Sequence, residues 1–286
     1  MRRFLVLAAG LVCALATSPA AAQQGADTPR VLVVGDSWAE YVWEQRTISW
    51  ALDRAGHPDL SERGELTAIG GTTAAGWATL PSRALITTEL ALYPTIDVVH
   101  LSIGGNDLLL NWNASWTPQQ EAALIQQIRT DTQTVVDHIK AQRPGIRVVI
   151  AGYDYSNFQE MAPLFSLDWF LWIYLGSPSP ARMGNALADF EAMRRDLALA
   201  DPRVDYVHNL GLMQWFFGYP LYGAPRFYAP FPGQAPLYLP FPGGSASHPS
   251  PPSAMTDSFH LNPDGYKVLV GNMTKEIYKP YFDANP

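Results

Sequence analysis

The chain is expected to form an α/β fold with a central parallel sheet of about five strands. Three observations point there. Short runs rich in β-branched residues recur along the chain, they lack polar alternation, and longer segments with helical spacing separate them. Near-continuous apolar runs belong to strands covered by helices on both faces. The first is Arg30–Gly35, followed by a helix after Trp38. Glu65–Ile69 is read as the second strand and Asp97–Ile103 as the third, with a helix beyond Gly76 between them. The clearest helix opens at Thr117-Pro118-Gln119-Gln120, where Thr117 can cap, Pro118 suits the first turn and Gln120 can close a capping box. Leu124, Ile128, Val135 and Ile139 keep its apolar face until Pro144-Gly145 stops it. Ile146–Gly152 and Val204–His208 are the last two strands, with helices expected after Ala181 and Asn262. Together they describe one three-layer domain over residues 23–286.

Composition narrows the class. The 286 residues are 48% hydrophobic and 16% charged, which supplies one sizeable core or two small ones and excludes a disordered or disulfide-dense chain. Met1-Arg2-Arg3, the apolar stretch Phe4 to Ala16 and Ala20-Ala21-Ala22 read as a secretory signal over Met1–Ala22. Its apolar run is too short to span a bilayer, no later stretch is long enough, and an exported protein is expected. Cys13 follows Val12 inside that run, unlike the modified cysteine of a lipoprotein signal. Loss of the segment takes the formal charge from −7 to −9 and removes the only cysteine, so disulfides and thiolate chemistry are excluded. The acidic balance argues against nucleic acid as a partner.

Two aromatic stretches break the rhythm and are read as insertions. Residues 154–180 hold Phe158, Phe165, Trp169, Phe170, Trp172 and Tyr174 with three acidic residues and no basic one. Residues 211–256 hold ten prolines, ten aromatics and a single charge, Arg226. Solvated linkers are poor in aromatics, so a loop packed on the domain, as wall or lid of a site, is expected.

Four short segments carry potential chemistry. Gly35-Asp36-Ser37 ends a buried strand and opens a helix, the edge of an open α/β sheet where ligands bind; the same residues also suit a plain helix cap. Asp257-Ser258-Phe259-His260 places an acceptor three residues before an imidazole, either a base with its orienting partner or decoration of a turn before Asn262. Gly104-Gly105-Asn106-Asp107 follows another apolar run and offers an amide donor to an oxyanion. Ile69-Gly70-Gly71-Thr72 offers an unobstructed backbone N–H.

In chain order, Gly35-Asp36-Ser37, then Gly70, then Gly104-Gly105-Asn106-Asp107 and last Asp257-Ser258-Phe259-His260, the four segments resemble the SGNH hydrolases, the GDSL-type esterase and lipase superfamily, over a frame from about Arg30 to Tyr278. The resemblance implies a three-layer flavodoxin-like fold and a serine ester hydrolase without a cofactor. It implies Ser37 as nucleophile, His260 as base and then acid, and Asp257 as its partner. The Ser37 N–H, the Gly70 N–H and the Asn106 side chain would form the oxyanion hole, with Gly71 left open as an alternative to Gly70. Trp38 stands where the commonest form of the family has leucine.

Asp36 and Asp107 are read as turn-fixing residues, His100 and His208 as core or pocket residues, and no cluster has defensible metal-ligand spacing. Trp38, Trp169 and Phe231 are the candidate substrate-binding residues, since the aromatic segments converge on the strand edge beside the candidate nucleophile. A hydrophobic acyl or aryl ester is the expected small-molecule substrate. An acyltransferase, a carbohydrate acetylesterase and a non-enzymatic surface-binding module are the alternatives, and nothing in the sequence sets an oligomeric state.

Overall fold

The computed structural model describes residues 27–218 and 248–286. Met1–Ala22, Phe231 and most of the Pro-rich insertion lie outside the described residues. The first half of the chain runs β1 (Thr28–Gly35), α1 (Ser37–Glu44), α2 (Thr47–Arg54), β2 (Leu60–Arg63), α3 (Ala74–Trp77), α4 (Leu80–Leu92), β3 (Val98–Ser102), α5 (Gly105–Asn111) and α6 (Pro118–Gln142). Then follow β4 (Arg147–Ala151), α7 (Phe158–Met161), α8 (Leu167–Tyr174), α9 (Pro180–Leu199), β5 (Val204–Val207), α10 (Leu212–Phe217) and α11 (Pro263–Met273). A π-helical stretch, Thr274–Tyr278, leads into α12 (Lys279–Ala284).

The five strands are all parallel, in the order β2-β1-β3-β4-β5. Val31 to Val34 of β1 are fully buried, as are the inner residues of β3 and β4, which explains their unbroken apolar runs. Helices α1, α2 and α11 cover one face, and α4, α6 and α9 cover the other. This is the expected α/β architecture.

Four strands fall within a few residues of their expected places, and the second does not. Glu65–Ile69 is a turn held against the end of β1: Gly35 N–H donates to Thr67 O at 2.8 Å and Thr67 Oγ1 donates to Val33 O at 2.6 Å. The strand is instead Leu60-Ser61-Glu62-Arg63, whose Ser61 and Glu62 are buried. Glu62 Oε2 accepts from Ser49 N–H at 2.9 Å and Oε1 lies 3.9 Å from the Arg46 guanidinium. Partners at the start of the neighbouring helix thus offset the burial of a carboxylate that the local pattern marks as exposed.

Two glycines bring the strand ends together. A Cβ at Gly35, φ 151°, would stand 1.9 Å from Ser102 O, so only glycine lets β1 close on the end of β3. Gly104, φ 100°, turns the chain from β3 into α5 with Ile128 and Phe190 packed against it. The first residues of α1 and α5 are thereby neighbours at the carboxyl edge of the sheet.

Candidate active site

Ser37 is the first residue of α1. The Asp36 carboxylate caps that helix by accepting from Trp38 N–H at 3.0 Å, and Asp36 N–H donates to Ser102 O at 2.9 Å. The candidate nucleophile and the helix start are therefore fixed by the same residue.

The Asp257–His260 turn docks on this point from 220 residues away in sequence. His260 Nε2 lies 2.7 Å from Ser37 Oγ, and His260 Nδ1 lies 2.7 Å from Asp257 Oδ2. An ionised carboxylate can only accept, so Asp257 accepts a hydrogen bond from Nδ1–H and leaves Nε2 as the acceptor for the serine hydroxyl. Asp257 Oδ1 accepts from the N–H groups of Phe259 and His260, at 2.9 and 2.8 Å. Burial alone would raise this carboxyl, but the His260 hydrogen bond and those N–H groups hold it below the usual carboxylate range. The turn is tied down by Ser258 N–H donating to Asp168 Oδ2 at 3.0 Å and by Trp38 Nε1–H donating to Phe259 O at 3.0 Å.

Of the other candidate oxyanion donors, Asn106 lines the same cleft as Ser37. Asn106 Nδ2 gives one hydrogen to Thr72 O at 2.9 Å, which orients the amide and leaves its second hydrogen for a ligand. The Gly70-Gly71 turn runs alongside β1: Ile69 N–H and Thr72 Oγ1 both donate to Gly35 O, at 3.0 and 3.1 Å. A Cβ at Gly70 would meet the Glu40 carboxylate of α1, so a side chain there requires Glu40 to move. Gly71 has φ 75° and open space around it. Glycine at position 71 answers a backbone requirement.

Asp107 accepts from Ala74 and Ala75 N–H at 2.6 and 3.3 Å, and with Asp36 fixes a turn as expected. His100 and His208 are buried in the core.

Beside Ser37 and Asn106 opens a cleft with Leu108, Leu109, Met183, Leu187 and Phe259 as its apolar wall. Trp38 lines its base, but with its ring wedged edge-on between Tyr153 and Tyr266 it offers little surface to a ligand. Trp169 is a correction: it is not part of this wall. With Asp168 anchored on Ser258, the Trp169 ring packs edge-on against Phe165 and Phe170, with centroids 5.2 and 5.1 Å away.

Several contributors have no motif. Tyr153, fully enclosed after β4, donates its hydroxyl to Asp36 Oδ2 at 2.5 Å and accepts from Gly105 N–H at 3.3 Å. Burial pushes the Asp36 carboxyl up to about 6, against the opposing hydrogen bonds from Tyr153 and Trp38. Beneath Tyr153 the Arg194 guanidinium lies 4.6 Å from its ring centroid and pairs with Glu191 at 2.7 Å in the core. Asp154 is raised to about 7 by burial, although it accepts from the N–H groups of Met213, Gly211 and Tyr155. The one sequence signal for this cluster was the end of an apolar strand at residue 152.

No curated protein matches the chain. Among solved structures, one described as a putative platelet activating factor from Streptococcus pneumonia superposes with a TM-score of 0.53 at 14% identity, covering 89% of this chain and 86% of its own. The lipase Lip_vut3 from a goat rumen metagenome gives 0.51 at 11%, covering 88% and 98%. An acetyl xylan esterase, AlAXEase, gives 0.50 at 16%, covering 87% and 99%. At such identities these likenesses establish the shared fold. The profile of the GDSL-like Lipase/Acylhydrolase family matches residues 33–268, a span that includes every candidate catalytic residue. The chain belongs to the GDSL-like lipase/acylhydrolase family and is a carboxylic ester hydrolase.

Proposed function

We propose that the chain is an exported serine esterase that works through an acyl-enzyme on esters with a hydrophobic acyl or aryl group. The observation that carries this reading is the unbroken relay Asp257–His260–Ser37, with both contacts at 2.7 Å. Ser37 Oγ attacks the ester carbonyl as its proton passes to His260 Nε2, and Asp257 stabilises the imidazolium. The carbonyl oxygen, now negative, accepts from Ser37 N–H, the second Asn106 Nδ2 hydrogen and the Gly70 N–H. Collapse returns the proton from His260 to the leaving alcohol and leaves the acyl group on Ser37. Water, deprotonated by His260, then releases the acid. The acyl group would lie against Leu108, Leu109, Met183 and Leu187. Export rests on the signal-like character of Met1–Ala22.

The test is labelling by a fluorophosphonate probe with turnover of a nitrophenyl ester series. Ser37→Ala should abolish labelling and lower turnover by several orders of magnitude, on the order of 10⁴ or more. Labelling that persists at another serine overturns the nucleophile. Turnover that falls from acetyl to longer acyl groups overturns the hydrophobic-acyl reading and leaves the relay intact.

A further inference from the structure

Helix α8, Leu-Asp-Trp-Phe-Leu-Trp-Ile-Tyr, is apolar apart from Asp168 and the Tyr174 hydroxyl, yet it contains no buried residue. Leu164, Phe165, Leu167, Phe170, Ile173 and Tyr174 are all exposed, Leu167 by 84% and Phe165 by 71%. Single exposed leucines are ordinary on a protein surface; six large apolar side chains within eleven residues are not. Phe165 has φ 65°, a left-handed backbone that bulky residues seldom adopt, so this loop holds an aromatic ring in solvent against its local preference.

The patch is fastened to the catalytic machinery at two points. Asp168 accepts from Ser258 N–H, inside the turn between Asp257 and His260. The Tyr174 hydroxyl donates to Leu110 O at 2.7 Å, at the end of the helix that carries Asn106, and Leu110 is itself 51% exposed. Leu109 and Phe259, the chain neighbours of those two fastening points, line the acyl cleft. The apolar surface thus borders the mouth of the cleft.

We propose that this face seats the enzyme on a zwitterionic lipid surface, from which ester lipids pass directly into the cleft. The proposal rests on the esterase reading above. A protein or a second copy on this face would cover the mouth that substrate must use, whereas a lipid surface is itself the source of esters. Residues 154–180 carry three acidic side chains and no lysine or arginine, so the face lacks the basic groups that anionic lipid attracts. Trp169 and Trp172, half-buried beneath the exposed residues, are the ring type that settles at the level of lipid headgroups.

The experiment compares the full chain with the double variant Leu167→Ser, Phe170→Ser, using phosphatidylcholine vesicles with and without an added anionic lipid. Sedimentation and tryptophan fluorescence read binding; nitrophenyl butyrate below its aggregation limit reads catalysis without a surface. The variant should keep its unfolding midpoint and stay within about twofold on the soluble ester, because neither side chain supports the core. It should lose roughly tenfold or more in vesicle partition and in turnover of vesicle-borne ester, from the apolar area removed. Equal partition of both proteins overturns the proposal, as does binding that strengthens with anionic lipid. Light scattering that shows a wild-type dimer abolished in the variant also overturns it, by assigning the patch to self-association. Binding is read without catalysis and soluble-ester turnover without vesicles, so failure of the esterase reading is distinguishable from failure of the surface.

Discussion

Tyr153 sets the distance between two turns of the candidate site. Its hydroxyl holds Asp36 on one side and Gly105 N–H on the other, so one phenol links the residue before Ser37 to the residue before Asn106. Misplacement of reacting groups by a fraction of an ångström is costly, and this bridge keeps the candidate nucleophile and the candidate amide donor in register. Tyr153→Phe should lower kcat on a soluble ester about tenfold, with a smaller change in KM, and reduce the unfolding free energy by about 1–3 kcal/mol through the unpaired Asp36 carboxyl. Steady-state kinetics beside denaturant unfolding checks both; a stability loss with unchanged kcat would make Tyr153 purely structural. None of this was legible in the sequence, because Asp36 and Tyr153 are 117 residues apart and meet only when β1 and β4 enter one sheet. By contrast Ser37, Asn106, Asp257 and His260 were legible as short local motifs, because each site turn is built from neighbouring residues.

At the scale of elements, legibility followed how local the stabilising contacts are. The start of α6 was readable because its cap is self-contained: Thr117 Oγ1 accepts from Gln120 N–H, and the Gln120 side chain accepts from Thr117 N–H at 2.9 Å. Thr117→Ala should cost about 0.5–2 kcal/mol in denaturant unfolding while leaving ester turnover unchanged, since this end of α6 supports no catalytic group. A matched fall in turnover would show that α6 transmits to the site. Strand β2 was unreadable for the opposite reason. Glu62 is buried and its carboxyl is raised by burial, with Arg46 and Ser49 from another element opposing that cost. A polar run supported only by tertiary partners looks like a loop until the partner helix is in place. Helix α8 is the converse case, an apolar run that the domain leaves at its surface.

For the molecule as a whole, the sheet that gathers the site also buries groups whose ionisation opposes folding. His100, at the centre of β3, has Nδ1 2.7 Å from the Tyr278 hydroxyl, and burial, helped by Arg194, lowers its pKa from 6.5 to about 3. Below pH 6.5 the unfolded chain therefore takes up a proton that the folded chain refuses. Its contribution is fully present above that pH and is lost as pH falls towards 3. Asp36 and Asp154 act with the opposite sign. Raised to about 6 and about 7, they contribute stability below pH 4 that is lost as pH rises through those values. One differentially bound proton changes stability by about 1.4 kcal/mol per pH unit, so the wild-type profile is a compromise between these slopes. His100→Asn keeps a hydrogen-bonding partner for Tyr278 and removes the titration together with part of the ring's volume. The variant should be less stable than the wild type at pH 7, because a cavity replaces the ring. As pH is lowered to 5 the wild type should lose the histidine's contribution, and the gap between the two should narrow by about 2 kcal/mol. Both carboxylates are common to the two proteins and cancel in the difference. Urea unfolding at pH 7, 6 and 5 measures it, and a gap constant across that range would mean that His100 accepts its proton in the folded core as readily as in the unfolded chain.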